Sequence, residues 1–318
     1  MKKLILILSV FIFTACSKKG KLIVNEHVNL IITPDLSNRI EDLYSKPVSD
    51  IALINTVYKN YYPYIYKLKN RILGQEDLIS LIFTNPAIIS DFRINLRDFK
   101  MDLSDMKPAE RITYLTKGNY QNLLVAVDSE IRDVYRQAKE NTTGGDIYNY
   151  FKNEITSALV KKTRKPKIVG SDTIIDVQRN ILVLLTDGYV EAGLYGEKNC
   201  NGNKCLYLSK SRVNLFRKEF LASGEDDLKQ FFTNAGYGII PVKNENMEHL
   251  EIFVSEMYDR SLNKKTGSQT VSPNDFEIMK LFWEDWLEKS GVQHYKLLDT
   301  SNSKEEFLRE LTSFIEEV

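Results

Sequence analysis

The chain has 318 residues, and its 43 basic residues balance its 43 acidic ones. This balance gives no sign of the basic surface that nucleic-acid binding requires, so no nucleic-acid partner is expected. The length suits one large α/β domain or two small ones, and no apolar run is long enough to span a bilayer.

The first residues have the pattern of an export signal. Lys2 and Lys3 precede an apolar run over 4–13 that is too short to cross a membrane. Small residues then lead to a cysteine, in the order Phe13–Thr14–Ala15–Cys16. This segment resembles the lipobox of bacterial lipoproteins, in which the signal is cleaved before a cysteine that is then lipidated. The alternative is an ordinary secretory signal followed by an incidental cysteine.

The lipobox resemblance implies a signal peptide over 1–15, a lipidated tether over 16–26 and a domain over 27–318. The mature protein would be lipid-anchored through Cys16 to a membrane of the bacterial cell envelope, on its periplasmic or surface face.

Two further cysteines, Cys200 and Cys205, lie close together in a polar stretch. Export to an oxidising compartment favours a disulfide between them. The alternative is a metal-binding knuckle, for which the sequence offers no second cysteine pair and no nearby histidine. A bridge over so short a loop is expected to stabilise the fold by only about 2 kcal/mol.

Apolar periodicity predicts strands that alternate with helices after the export signal. Ser49 or Asp50 is expected to cap the first helix. In chain order the predicted elements are strand 27–33, helix 49–70, strand 78–83, strand 92–97, helix 108–140 divided at Gly118, helix 147–160, strand 181–185, helices 211–221 and 226–233, strand 237–242, helices 247–261 and 275–289, strand 293–299 and helix 303–317.

This alternation predicts an α/β fold with a doubly wound, mostly parallel, Rossmann-like sheet. Polar and apolar residues alternate over 92–97, which indicates one half-exposed, antiparallel edge strand. The polar stretch 263–274 could be a linker. The strand and helix after it continue the alternation, so a single domain is favoured.

Asp35 and Asp187 each follow an apolar run, one in Thr33–Pro34–Asp35–Leu36–Ser37 and the other in Thr186–Asp187–Gly188. Ligand sites in open α/β sheets form outside the carboxyl ends of the strands. Two carboxylates placed there can converge on a cation or a polar ligand. The alternative is that both side chains only satisfy backbone groups at strand ends and helix starts.

Together with Asn141–Thr142–Thr143–Gly144–Gly145–Asp146 between them, these loops resemble the von Willebrand factor type A family. That resemblance implies a metal-ion-dependent adhesion site at the carboxyl edge of the sheet. Ser37 and Thr142 or Thr143 would bind the ion directly, and Asp35 and Asp187 would bind it directly or through water. Such oxygen ligands suit Mg²⁺, Mn²⁺ or Ca²⁺.

Two residues depart from the family pattern. Arg39 stands where the second serine of the first loop is expected, and an arginine cannot ligate a cation. If its side chain points inward, it could replace the ion by pairing with Asp35 or Asp187. Alignment of the middle loop also puts Gly145 at the position of the threonine.

The two resemblances together imply a lipid-anchored envelope protein whose domain binds a protein or polymer partner through the loops near Asp35, Thr143 and Asp187. No enzymatic activity is expected from it. The alternative is a metal-assisted hydrolase that uses Asp35 and Asp187, although the sequence identifies no general base beside them. A solute-binding lipoprotein would usually show two similar lobes, and the sequence indicates one.

Overall fold

Apolar runs bounded by turn residues form the strands of a mostly parallel sheet in the computed structural model, which describes residues 20–37, 40, 46–71, 74–141, 144–191, 199–263 and 266–317. The strands are β1 (Leu22–Pro34), β2 (Leu78–Leu81), β3 (Met101–Asp102), β4 (Lys167–Val169), β5 (Asp172–Leu185), β6 (Cys200–Asn201), β7 (Lys204–Cys205), β8 (Gly238–Ile239), β9 (Leu250–Met257) and β10 (His294–Asp299).

The central sheet has seven strands in the order β10-β9-β5-β1-β2-β3, with β4 beside β5. Neighbouring strands of this sheet pair in parallel, except that β3 is antiparallel to β2 and β4 is antiparallel to β5. Strands β6, β7 and β8 form a separate small sheet. The predicted mostly parallel sheet with an antiparallel edge strand is therefore confirmed, and β4 is a second antiparallel strand.

Helices cover both faces of the central sheet, as a doubly wound fold requires. Leu30 and Ile32 pack against the helices on one face of the sheet, whereas Ile31 faces the helices on the opposite side. No helix in the described ranges is both long and apolar enough to cross a bilayer. The helices are α1 (Asp50–Tyr61), α2 (Ala87–Asp91), α3 (Pro108–Thr116), α4 (Asn119–Glu140), α5 (Ile147–Asn149), α6 (Lys210–Ser223), α7 (Leu228–Asn234), α8 (Asp275–Lys289) and α9 (Lys304–Glu316).

The structure confirms the predicted start of the first helix and the predicted break at Gly118, but the first helix ends nine residues earlier than predicted. The Ser49 hydroxyl accepts a hydrogen bond from the backbone N–H of Ala52 at 3.3 Å and caps α1. That helix ends at Tyr61, and a 3₁₀ turn follows over Ile65–Asn70. The long helical segment divides at Gly118, whose φ of 99° is a conformation that glycine adopts without steric cost.

The antiparallel edge strand lies later in the chain than predicted. Residues 92–97 contain no strand, and a 3₁₀ turn covers Leu96–Phe99 instead. The Asn95 side chain accepts a hydrogen bond from the backbone N–H of Arg97 at 3.3 Å, so a local side-chain bond competes with strand pairing. The edge strand is β3, which pairs with Leu78 and Ile79 of β2.

The helix predicted over 247–261 is wrong, because this segment forms β9. Leu250 and Val254 keep a helical spacing, but Ile252 and Phe253 between them are also fully buried, on opposite faces of the sheet. Strand β9 lies between β5 and β10, and the cores on both sides of the sheet bury its two faces, so tertiary structure overrides the local pattern.

Three further predicted elements differ in extent. Strand β1 begins at Leu22, so the sheet reaches into the segment predicted as a tether. The helix predicted over 147–160 continues from α5 only as a π turn to Glu154. The strand predicted over 237–242 is limited to β8, outside the central sheet.

The disulfide predicted between Cys200 and Cys205 is present. It joins β6 to β7, and β7 pairs in parallel with β8. The bridge therefore stabilises the small sheet at its antiparallel hairpin.

Arg179 on β5 connects the central strands to the last helix. Its guanidinium donates to both carboxylate oxygens of Glu251 on β9, at 2.6 and 2.8 Å, and to the Ile315 carbonyl oxygen in α9 at 2.8 Å. It also lies 3.4 Å from a carboxylate oxygen of Glu26 on β1. Loss of one partner from such a buried ion pair leaves the others charged and poorly solvated.

We expect Arg179→Ala to lower the free energy of unfolding by about 3 kcal/mol, measured by urea denaturation. Arg309→Ala is the matched control, because Arg309 is exposed and pairs with Glu310 at 3.4 Å. That variant should lose less than about 1 kcal/mol. Equal losses in the two variants would show that the Arg179 contacts contribute nothing beyond a surface ion pair.

Candidate functional site

The carboxyl ends of the parallel strands meet at one edge of the central sheet, which we call the carboxyl edge. Ligands bind at this edge in open α/β sheets. The predicted residues Asp35 and Ser37 follow β1 there, and Asp187 follows β5. The loops at the edge are 35–37 after β1, 84–85 after β2, 144–146 before α5, 186–188 after β5 and 258–261 after β9.

Asp35 is buried and connects two of these loops. Its Oδ2 accepts hydrogen bonds from the hydroxyl groups of Ser37, at 3.2 Å, and Thr186, at 3.1 Å. Its Oδ1 accepts from the backbone N–H of Ser37 at 3.1 Å, and its own N–H donates to the Leu185 carbonyl oxygen at 2.9 Å. The structure thus brings Asp35 and Ser37 together and adds the hydroxyl of Thr186, which the sequence analysis did not assign to the site.

The middle loop reaches Asp35 through its backbone. A Cβ atom on Gly145 would lie 2.0 Å from Oδ1 of Asp35 and 3.3 Å from the hydroxyl oxygen of Thr84, so only glycine fits here. The Asn85 amide group donates to the Gly144 carbonyl oxygen at 3.3 Å and connects this loop to the one after β2. Gly145 therefore lies at the site, as the alignment predicts, and brings no hydroxyl group to it.

Thr142, Thr143, Arg39 and Cys16 lie outside the described residues. The ligand role of either threonine, the charge-replacing role of Arg39 and the lipidation of Cys16 remain predictions.

Asp187 is buried, and its carboxylate group pairs with a guanidinium from the loop after β9. The Arg260 side chain donates to Oδ2 of Asp187, and the backbone N–H of Tyr189 donates to Oδ1 at 3.2 Å. The Arg260 guanidinium lies 4.2 Å from the centroid of the Tyr189 ring, which is a cation–π contact. Sequence reasoning missed Arg260, although it predicted that an arginine could occupy this electrostatic role.

Hydrogen bonds fix the loop that carries Arg260. Asp259 accepts from the backbone N–H of Ser261 at 2.8 Å and from its hydroxyl group at 2.5 Å. The Ser261 hydroxyl oxygen accepts in turn from the backbone N–H of Asp275 at 3.2 Å. The backbone N–H of Tyr258 donates to the Asp187 carbonyl oxygen at 3.0 Å. The loops after β5 and β9 are therefore joined by backbone as well as by charge.

A second ionic cluster lies behind Tyr189. The carboxylate of Asp275, at the start of α8, is fully buried and accepts hydrogen bonds from Tyr189, Lys210 and Arg217. Burial raises the pKa of Asp275, but these hydrogen bonds outweigh it and hold the pKa below its ordinary value. Burial and the Asp275 carboxylate raise the pKa of Tyr189, so its hydroxyl group stays protonated and donates.

The described residues do not fit a divalent cation shared by the two aspartates. Oδ2 of Asp187 already pairs with Arg260, whose fixed positive charge repels a cation, and Gly145 offers no ligand. Among the described side chains, no three of the types His, Cys, Asp and Glu are grouped closely enough to hold a metal ion. The metal site on Asp35, Ser37, Thr143 and Asp187 stays a prediction.

No family model matches this sequence, and no curated protein matches it. The fold defines the class as a doubly wound α/β domain. The resemblance to the von Willebrand factor type A family stays a prediction from the loop residues.

We expect the native protein to bind Mg²⁺ weakly and Arg260→Ala to bind it about tenfold more tightly, as measured by isothermal titration calorimetry. Removal of the guanidinium leaves the Asp187 carboxylate without its compensating charge, and a cation can then take that place. Arg260→Lys keeps the charge and should bind as weakly as the native protein.

The double variant Arg260→Ala/Asp187→Asn should lose the gain, because it removes the carboxylate that would bind the ion. Tight binding by the native protein that Arg260→Ala leaves unchanged would contradict the assigned role of Arg260.

Proposed function

We propose that this protein is a lipoprotein of the bacterial cell envelope whose α/β domain binds a protein or polymer partner through the loops of the carboxyl edge. The observation that carries the proposal is the convergence of separate loops on two buried carboxylates, Asp35 and Asp187, in the order of the adhesion-domain motif. Gly145 against Asp35 supports the same alignment.

Arg260 adapts this site to binding without a bound ion. In the adhesion site implied by the resemblance, a cation compensates the carboxylates and holds the loops together. Here the Asp187–Arg260 pair supplies the positive charge, and Tyr189 packs on the guanidinium. Buried ion pairs with several hydrogen bonds fix the geometry of the groups around them. The loops are thus ordered before a partner arrives, which lowers the entropic cost of binding.

The same contacts favour binding over hydrolysis. A hydrolase that used Asp35 and Asp187 would need one carboxylate to accept a proton from water during the reaction. Both oxygens of Asp35 accept hydrogen bonds from fixed donors of the protein, and Asp187 is paired with Arg260. The oxygens of both carboxylates are therefore held by contacts within the protein, as is expected of a structural role.

Exposed segments border the buried groups and offer a contact surface. Pro86 and Ala87 are exposed after β2, and the stretch 266–272 is exposed beside the Arg260 loop. Thr270 in this stretch donates a hydrogen bond to the Ser261 carbonyl oxygen, which ties the exposed segment to the ordered loop. A partner that covers the edge would contact these segments first.

Site-specific photo-crosslinking in the native envelope tests the partner-binding surface. A photoreactive amino acid in place of Ala87 or of Val271 should crosslink to the same partner. The control position is Val125 on α4, which is 71% exposed but lies on a helix that covers one face of the sheet. A chelator should leave the crosslink yield unchanged, because Arg260 supplies the compensating charge.

If position 125 gave the same crosslink with the same yield as positions 87 and 271, the binding surface could not be assigned to the carboxyl edge. Loss of the crosslink in the presence of chelator would support the binding surface, but it would show that a metal ion and not Arg260 supplies the compensating positive charge.

Membrane anchoring has a separate test. Cys16→Ala should accumulate as an unprocessed precursor that incorporates no labelled fatty acid, because cleavage and lipidation both depend on that cysteine in the lipoproteins it resembles. Cys200→Ala/Cys205→Ala is the control and should be processed normally. Normal processing and labelling of Cys16→Ala would show that the cysteine is incidental.

A further inference from the structure

The central strand pair extends well beyond the rest of the sheet at its amino-terminal end. Strand β1 pairs with β2 only from Asn29 onward, and β5 pairs with β9 only from Asn180 onward. Residues 22–28 of β1 therefore pair with β5 alone, and β4 completes a three-stranded ribbon at this end. At about 3.3 Å per residue, the extension of β1 measures roughly 20 Å. We call it the amino-terminal ribbon.

Large apolar side chains are exposed on this ribbon. Ile168 is 78% exposed, which is the highest value among the large apolar side chains of the described chain, and Leu22, Val169 and Val24 are 64%, 59% and 56% exposed. Ile168 and Leu22 both pair with Thr173 and so lie on the same face, with Val24 two residues further along it. Contiguous apolar exposure of this kind marks an interaction surface.

The loop that leads into the ribbon is strongly basic. Residues 161–167 read Lys–Lys–Thr–Arg–Lys–Pro–Lys, and all of them are exposed. Arg164 pairs with Glu76 at 2.7 Å and Lys167 with Asp176 at 3.3 Å. The ammonium groups of Lys161, Lys162 and Lys165 form no ion pair with any described residue, so their charge remains available to an anionic partner.

The predicted lipid attachment site lies within reach of this surface. The described chain begins at Gly20, next to the start of β1, and Cys16 precedes it by only four residues. A fully extended segment of that length spans at most about 14 Å. A bilayer that held the acyl chains of Cys16 would therefore lie close to the ribbon and to the basic loop.

We propose that the amino-terminal ribbon and the loop 161–167 contact the surface of the anchoring bilayer, with Leu22, Val24 and Ile168 at the interface and the lysines on anionic phospholipid headgroups. Apolar side chains beside basic ones are the combination that binds anionic membrane surfaces. The position of the bilayer beside this surface rests on the lipid anchoring in the proposed function, whereas binding of the surface to anionic lipid depends on neither the anchor nor partner binding.

Fluorescence quenching on reconstituted vesicles tests the contact with the full mature, lipidated protein. Bimane is attached at Ile168→Cys and, as a control, at Leu221→Cys on α6, which is 63% exposed. Cys200 and Cys205 are joined in a disulfide, so the introduced thiol is the one labelled in the described chain. Vesicles contain doxyl-labelled lipid, with either purely zwitterionic or partly anionic headgroups.

We expect quenching at position 168 to be about twofold stronger in anionic than in zwitterionic vesicles and to fall to the zwitterionic level at about 1 M salt. Quenching at position 221 should stay low in both. Lys161→Gln/Lys162→Gln/Lys165→Gln should abolish the anionic gain. The matched triple Lys218→Gln/Lys229→Gln/Lys243→Gln removes the same charge from other exposed positions and should retain the gain.

Flotation of the same vesicles separates this proposal from the anchor. If the protein floats on both vesicle types but shows no quenching at position 168, the result supports the lipid anchor and overturns the ribbon contact. Protein that floats only on anionic vesicles, with quenching at position 168, supports the contact and overturns the anchor. Protection of position 168 from aqueous iodide without quenching by lipid would mean that a second copy of the protein covers the ribbon, which also overturns the proposal.

Discussion

The parallel register of β1 and β5 is the constraint on which the candidate site depends. Pro34 pairs with Leu185, so the next residues of both strands, Asp35 and Thr186, leave the sheet side by side. The hydrogen bond from the Asp35 N–H to the Leu185 carbonyl oxygen extends the contact between the two strands by one residue beyond Pro34. A shift of this register by one residue would turn every side chain of a strand to the opposite face of the sheet. Burial of the strands therefore fixes the register, and the register fixes the position of Asp35.

Arg260 shows how an edge of this kind can be ordered by the chain alone. A site that needed a bound ion would depend on the concentration of that ion around the protein, whereas a guanidinium stays charged at any physiological pH. The arginine is fixed on one side by Tyr189 and on the other by the turn from Asp259 to Ser261. The charge of Asp187 is therefore compensated in every molecule that is folded.

The alternation of strands and helices, the cap at Ser49, the break at Gly118 and the disulfide could be predicted because each depends on a local pattern. Strand β9 could not, because its apolar spacing also suits a helix and only its neighbours β5 and β10 decide between the two. The helix predicted over 247–261 included Arg260, so the sequence did not indicate that this residue follows the end of a strand. A strand there would have placed the Tyr258–Asp259–Arg260–Ser261 turn beside Asp187.

The middle loop shows a different limit. Sequence alignment placed Gly145 at the site, yet nothing in the sequence indicates that its lack of a side chain is what allows the backbone to approach Asp35. Close approach of a backbone to a carboxylate is a property of the folded loops, and glycine alone does not distinguish it from an ordinary turn.

Strand β1 joins the amino-terminal ribbon to the carboxyl edge without interruption. Its 13 residues extend roughly 40 Å, because a strand rises about 3.3 Å per residue. A single strand therefore sets the distance between the amino-terminal end of the domain and the loops around Asp35. Under the proposed anchoring at Cys16, β1 and the short segment before it would confine bound partners to a layer above the membrane, and the length of β1 would set the depth of that layer.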